Sequence, residues 1–300
     1  MASTIKIFCL TAVLLFLCSC KKEIEVTPEI PVTDVKPGTI GNTLTTAKNT
    51  KEFERLINNL VALRQEIMAQ LPGLNPQECN ALFEKHLTDI NSLIIKAENE
   101  EKYLLNNYYN IVKYNETGLV YMPDWVKNET HLLAKAKLEI WDIGEGIVEI
   151  RAIPDYYKDL FARYVTPDYR AYIILTAEEN KMLFDNDGAI AISWEDVGKR
   201  VFNWENYITK YPESKLYQNA LDNYLYYQNA FLVGADNTPV MDYENNTEYP
   251  EVRNSFNSFI KKHPNSPTSP LIKMVLGFKG NQTELETLIL QKQQLPGKTD

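Results

Sequence analysis

The sequence predicts an all-α fold of stacked antiparallel helical hairpins, joined to a disordered N-terminal linker. Three observations lead to this prediction. Apolar residues recur with a helical period from residue 49 onward, prolines and N-capping residues mark helix ends, and the C-terminal third contains an internal repeat. Extended segments are scarce. Residues 118–122 and 189–192 have a strand-like pattern, and neither has an obvious partner strand in the sequence.

The first 20 residues have the pattern of an export signal. Lys6 precedes a short apolar run, which ends in Leu17-Cys18-Ser19-Cys20. The run is shorter than the ~20 residues that a membrane-spanning helix needs. The last four residues resemble the lipobox of bacterial lipoproteins. This resemblance implies that residues 1–19 are removed and that Cys20 receives a thioether-linked lipid and palmitate-type acylation. The alternative is an ordinary secretory signal with incidental cysteines.

Residues 20–48 are predicted to be a disordered spacer, because prolines, glycines and threonines are frequent and apolar periodicity is absent. No Asp follows Cys20 directly, and by analogy with other lipoproteins this favours the outer membrane over the inner one. Lys21-Lys22, followed by acidic residues, also resembles a surface-export tag. The pattern leaves open whether the protein faces the periplasm or the cell surface.

The net charge excludes one class of partner. The chain carries 31 basic and 40 acidic residues, a formal charge of −9. Nucleic acid and anionic lipid are bound through a basic face. We therefore expect no nucleic-acid partner, and we expect attachment to the membrane through the lipid on Cys20.

Cys79 is the one cysteine left for the folded domain. We therefore expect no intramolecular disulfide, and we expect a buried Cys79 thiol.

Residues 49–193 are predicted to form an N-terminal helical domain. Two apolar stripes, at 53–71 and 79–97, predict a helical hairpin. Asn49 and Glu52 would cap its first helix, and Asn75 would cap the second. Residues 132–150 predict a third helix despite two glycines, and Thr176 with Glu179 predicts a capping box for a later short helix.

Residues 194–300 contain an internal repeat, in which residues 204–214 match residues 256–266. Each copy is an aromatic helix that ends at a proline, and Ser214 or Ser266 is placed to cap the next helix. The pattern resembles tetratricopeptide-like hairpins. This resemblance implies an α-solenoid whose curved surface contacts a partner protein. A loop inserted at 234–250 lengthens the period.

No motif predicts a metal, a cofactor or a catalytic triad. The histidines lack zinc-ligand spacing, and the loop at 185–188 lacks the ligand positions of a calcium-binding EF-hand and is predicted to be a turn. Glu145 and Glu149 lie four residues apart on the predicted third helix. Two carboxylates can hydrolyse a glycoside, but a solvated helix face or pairing with Arg151 is the simpler interpretation.

Two tyrosine pairs are candidates for contact with a partner or ligand. In Tyr156-Tyr157 and Tyr226-Tyr227, adjacent side chains cannot both face inward, so one of each should be half exposed. The favoured function is an envelope lipoprotein without evident catalysis, which serves as a protein-binding scaffold or accessory subunit. The alternatives are a surface glycan-binding lipoprotein and, less favoured, a hydrolase that uses Glu145 and Glu149.

Replacing Cys20 by Ser removes the thiol to which the lipid would be attached. In the native host, we expect the wild-type chain to incorporate an alkyne-labelled palmitate and to stay with washed membranes, and Cys20→Ser to lose both properties. Cys18→Ser is the matched control, because it removes a thiol predicted to leave with the signal. Labelled Cys20→Ser protein would contradict the lipobox interpretation.

Overall fold

A computed structural model describes residues 50–293 of the chain. The predicted signal, Cys20, the linker and the Asn49 cap lie outside the described residues. Within them, twelve helices and four pairs of short antiparallel strands confirm a mostly α-helical fold. The described residues belong to one compact unit. Their largest clusters of buried hydrophobic side chains lie within residues 53–173 and 192–289.

The bounds of the elements are as follows. The helices are α1 (Thr50–Gln70), α2 (Pro76–Glu100), α3 (Lys102–Asn106), α4 (Tyr108–Ile111), α5 (Asp124–Lys135), α6 (Tyr156–Phe161), α7 (Pro167–Glu179), α8 (Trp194–Lys210), α9 (Tyr217–Val233), α10 (Pro250–Lys262), α11 (Thr268–Leu276) and α12 (Gln282–Lys292). The strand pairs are β1 (Lys113–Asn115) with β2 (Gly118–Tyr121), β3 (Leu138–Gly144) with β4 (Ile147–Ala152), β5 (Asp185–Asn186) with β6 (Ala189–Ile190), and β7 (Gly234–Ala235) with β8 (Thr238–Pro239).

Helices α1 and α2 pack against each other as the predicted hairpin. The Asn75 side chain accepts hydrogen bonds from the backbone N–H groups of Gln77 and Glu78, and Glu78 completes a capping box. Cys79 is fully buried, as predicted. On α2, His86 faces the core and Leu87 is exposed.

The predicted third helix at 132–150 is wrong. Helix α5 ends at Lys135, and the antiparallel hairpin β3–β4 follows. Gly144 and Gly146 lie at its turn with φ angles of 99° and 74°, a left-handed backbone that glycine adopts without steric cost. The two glycines are therefore turn residues, and they mark the point where the helical interpretation fails.

A two-residue period explains why this segment forms strands. Leu138, Val148 and Ile150 are buried on one face of the hairpin, with alternate residues turned away. The N–H of Ile150 donates to the Glu98 side chain of α2 at 3.0 Å. This contact gives one backbone N–H on the outer edge of β4 a hydrogen-bond partner. The strand-like segments at 118–122 and 189–192 do form short strands, and each pairs with the segment immediately before it.

The two copies of the C-terminal repeat have matching turns. Helices α8 and α10 are followed by the C-cap residues Tyr211 and His263, whose backbone angles are nearly equal (φ −127° and −130°, ψ 57° and 60°). Helix α10 packs on α8, whereas α11 and α12 pack on α9. The repeat therefore corresponds to successive helical hairpins that lie against each other.

Asn75→Ala removes the side-chain acceptor at the start of α2. We expect the free energy of unfolding to fall by about 1 kcal/mol, because two backbone donors lose their partner. Urea denaturation would show this as a lower midpoint with an unchanged slope. Asn58→Ala, an exposed position inside α1, is the matched control and should not destabilise. Equal midpoints for the two variants would contradict the capping role.

Candidate functional site

The tyrosines predicted to contact a partner do not share one surface. Tyr156 is buried, and its hydroxyl lies 3.0 Å from Nε2 of His86. Tyr157 is half-buried and packs edge-on against Phe83. In the second pair, Tyr227 is buried and Tyr226 is 50% exposed. Tyr226 is half exposed, as predicted for one member of its pair, whereas Tyr157 is only partly exposed. Three of the four rings therefore belong to the core or its margin.

His86 shows how strongly this core excludes charge. Burial lowers the pKa of its imidazole to about 4, so the ring is neutral at physiological pH. Its ring stacks against Tyr156 with centroids 5.8 Å apart. His263, which directly follows α10, has a lowered pKa because it is buried against Phe202 and lies beside Lys262.

Glu145 and Glu149 do not lie on a helix face. Glu145 occupies the β3–β4 turn with a φ of 54°, and Glu149 lies on strand β4 opposite Trp141. Burial and the nearby Glu98 raise the pKa of Glu149. Arg151 pairs with Glu139 at 2.9 Å rather than with either predicted carboxylate, and its guanidinium covers the Trp141 ring at 3.4 Å.

Among the described residues, no three His, Cys, Asp or Glu side chains are close enough together to hold a metal ion. The Asp- and Gly-containing segment at 185–188 forms the predicted turn. It joins β5 to β6, and the N–H of Gly188 donates to Asp185 Oδ1 at 3.1 Å. Across residues 50–293, none of the helices combines the length and hydrophobicity needed to cross a bilayer.

A concave surface lies where α8 and α10 begin. This groove, called the α10 groove below, has a volume of about 510 Å³ and is lined by Trp194, Asn237, Thr238, Pro239, Tyr249, Pro250, Glu251 and Val252. Trp194 and Val252 are buried and form its apolar floor, whereas Asn237, Tyr249 and Glu251 are exposed at its rim. The lining therefore combines an aromatic base with amide, hydroxyl and carboxylate groups.

Local backbone geometry builds both walls of the α10 groove. Gly234 directly follows α9 with a φ of 86°, and a Cβ at this position would lie 2.2 Å from the carbonyl oxygen of Thr238. Glycine therefore permits the tight β7–β8 hairpin. On the other wall, the N–H of Tyr249 donates to the carbonyl of Val240 at 3.1 Å, which holds the start of α10. The Trp194 indole donates to the Phe231 carbonyl at 3.2 Å, which fixes the floor.

A second notable site is the Glu179 cluster, which consists of Glu179, Arg200, Trp204 and Tyr227. The Trp204 indole donates to one carboxyl oxygen of Glu179 at 2.7 Å, and the Tyr227 hydroxyl donates to the other at 3.1 Å. Arg200 donates to the Tyr227 hydroxyl and to the backbone carbonyl of Glu179, both at 3.0 Å. Both carboxyl oxygens are engaged, so the cluster ties α7 to α8 and α9.

Burial raises the pKa of Glu179 to about 7, against the opposing effects of Arg200, Trp204 and Tyr227. This carboxyl therefore titrates near neutral pH.

The predicted capping box of Thr176 and Glu179 is wrong. Thr176 lies inside α7 and donates to the carbonyls of Tyr172 and Ile173, while Glu179 ends the same helix.

Sequence reasoning missed both the groove and the cluster. The inserted segment at 234–250, flanked by repeat copies, was the available signal for the groove, because it places β7–β8 against the start of α10. No local pattern indicates the Glu179 cluster, since the partners of its carboxyl lie on two later helices.

Glu179→Gln tests the titration of the cluster. The folded pKa lies above the ordinary 4.5, so the wild-type free energy of unfolding should fall as pH rises from about 4.5 to about 7. Glutamine resembles the protonated carboxyl and lacks this decline. Relative to wild type, we expect the variant to gain on the order of 2 kcal/mol between pH 5 and pH 8.

Urea denaturation at the two pH values measures this change. The adjacent Glu178→Gln is the control, because Glu178 is exposed and its pKa is lowered by Lys181. That variant should show no relative gain between pH 5 and pH 8. A Glu179→Gln variant that keeps the same pH dependence as wild type would show that the carboxyl does not titrate in this range.

Comparisons with protein-family models, with curated proteins and with solved structures gave no match.

Proposed function

We propose that this protein is an outer-membrane lipoprotein, anchored through lipid on Cys20, that binds a partner protein of the cell envelope in the α10 groove. It would act as a scaffold or accessory subunit, without catalysis of its own. The observation that supports this role is the α10 groove, which opens where the first helices of two successive hairpins begin. Either face of the outer membrane suits such a role.

The lining of the α10 groove is suited to a protein partner. Protein interfaces combine a desolvated aromatic or aliphatic centre with a polar rim that forms hydrogen bonds. Trp194 and Val252 supply the apolar floor, and Asn237 and Glu251 supply polar groups at the edge. An apolar side chain of the partner would fill the floor, and its backbone would bond to the rim.

Charge indicates the kind of segment that would bind. The chain has a formal charge of −9, and Glu251 adds an exposed carboxylate to the groove. Opposite charge steers association and suppresses wrong partners. We therefore expect the partner segment to carry a basic residue beside its apolar anchor.

The alternative functions receive less support from the positions of their residues. Glu145 and Glu149 lie on a hairpin turn and a strand, and neither lines the α10 groove. Tyr156 and Tyr227 are buried, so the two tyrosine pairs do not offer a shared platform for a sugar. A glycan function therefore needs a different set of rings.

Site-specific photo-crosslinking in intact cells tests the proposal. Tyr249 is replaced by p-benzoylphenylalanine, which is similar in shape and lies at the groove rim, in the full-length lipidated protein. We expect illumination to give one defined protein adduct. Glu251→Lys in the same chain should lower its yield several-fold, because the introduced charge repels a basic segment.

Ile95, exposed on α2, is the control position for the photo-reactive residue. It should give no adduct with the same protein. The protein captured at position 249 should also co-purify with the unmodified lipoprotein in constant ratio. No adduct at 249, or the same adduct at both positions, would contradict binding in the α10 groove.

A further inference from the structure

Two partly exposed tyrosines lie side by side at the surface, away from the α10 groove. Tyr109 on α4 and Tyr114 on β1 are 37% and 48% exposed. Their ring centroids lie 6.0 Å apart, with the ring planes inclined at 53°. Lys113 of β1 and Asp142 of β3 lie beside them. These four residues, called the tyrosine cleft below, share no residue with the α10 groove. We propose that the tyrosine cleft binds a neutral oligosaccharide.

The rings of the cleft are held in place by their neighbours. The Tyr109 hydroxyl donates to the Asp142 carboxylate. Buried Tyr108 meets the Tyr109 ring edge-to-face at 5.4 Å, and its hydroxyl lies 3.2 Å from that of Tyr114. Both rings are therefore oriented before any ligand arrives, which reduces the entropy lost on binding.

The polar groups beside the rings are also held in place, and they can still accept or donate further hydrogen bonds. Asp142 Oδ1 accepts from the N–H of Gly144 at 2.7 Å, and its other oxygen accepts from Tyr109, so each oxygen keeps a second lone pair. The Lys113 ammonium donates to the Tyr109 carbonyl at 3.1 Å and has two further N–H groups. The tyrosine cleft thus offers acceptors, donors and two partly exposed aromatic rings.

A sugar chain matches this combination. Each pyranose ring has a C–H face that packs on an aromatic ring and hydroxyls that both donate and accept hydrogen bonds. Because the two tyrosine planes are inclined, one flat ligand cannot lie on both. Successive rings of an oligosaccharide turn about their glycosidic bonds, so each can lie on a different tyrosine.

The charge of the cleft and of the chain favours a neutral sugar. The exposed Asp142 carboxylate lies between the rings and the β3–β4 turn, where Glu145 is also exposed. Together with the net charge of −9, these groups repel uronates and sulfated chains. This inference goes beyond protein binding in the α10 groove, and neither depends on the other.

A glycan array tests the inference with the purified full chain. The probes are neutral hexasaccharides of glucose, mannose, xylose and N-acetylglucosamine in their common linkages, with polygalacturonate as the charged comparison. We expect binding to at least one neutral probe and none to polygalacturonate. Isothermal titration with the bound hexasaccharide then compares variants. Tyr114→Ala should weaken binding about tenfold, the scale of one lost aromatic contact.

Tyr103→Ala is the matched control, because Tyr103 on α3 is 69% exposed and lies outside the cleft. Its affinity should stay within twofold of wild type. Asp142→Asn keeps the side-chain shape and should weaken binding at least threefold. This variant decides the test if circular dichroism shows that Tyr114→Ala is not folded. The inference is overturned if no neutral probe binds, if polygalacturonate alone binds, or if the folded cleft variants keep wild-type affinity.

Discussion

Two serine side chains at the repeat turns set how the C-terminal hairpins lie against their neighbours. Ser214 Oγ accepts from the N–H of Leu216 at 3.2 Å and donates to Asp168 of α7 at 2.6 Å. Ser266 Oγ accepts from the N–H of Thr268 at 3.1 Å and donates to Glu205 of α8 at 2.5 Å. Each serine thus supports the start of one helix and ties it to an earlier one. Hydrogen bonds to a charged acceptor are stronger than neutral ones, so these turns constrain the stack.

The α10 groove follows from that constraint and from the segment inserted between the repeat copies. With α10 packed on α8, the starts of both helices lie at the same edge of the stack. The inserted segment turns back at Gly234 and forms β7–β8, whose residues form one wall of the groove. The hairpins therefore supply the rigid floor, and the loop supplies polar groups, a division that is common in binding sites.

The parts of this structure that depend on local chemistry could be predicted from the sequence. Asn75 and Pro76 mark the start of α2, because capping acts within a few residues. The proline-serine turns mark the repeat, but the predicted serine caps are wrong, because Leu216 and Pro267 occupy the N-cap positions of α9 and α11. The parts that depend on distant partners could not. A helical period and a strand period both fit the apolar residues near 140–150, and contact with Glu98 on α2 favours the strand. Likewise, the Glu179 carboxyl is held by hydrogen bonds from Trp204 and Tyr227, and no local sequence pattern links these residues to Glu179.

Occupation of the α10 groove in the membrane is the central claim, and hydrogen–deuterium exchange measures it directly. The full lipidated chain would be compared in native envelopes and after purification, with exchange followed in peptides from 235–252 and from α1. We expect slower exchange at 235–252 in envelopes and equal exchange in α1, because a bound partner covers the groove and not the first helix. Equal exchange at 235–252 in both preparations would contradict the claim that a partner protein occupies the groove.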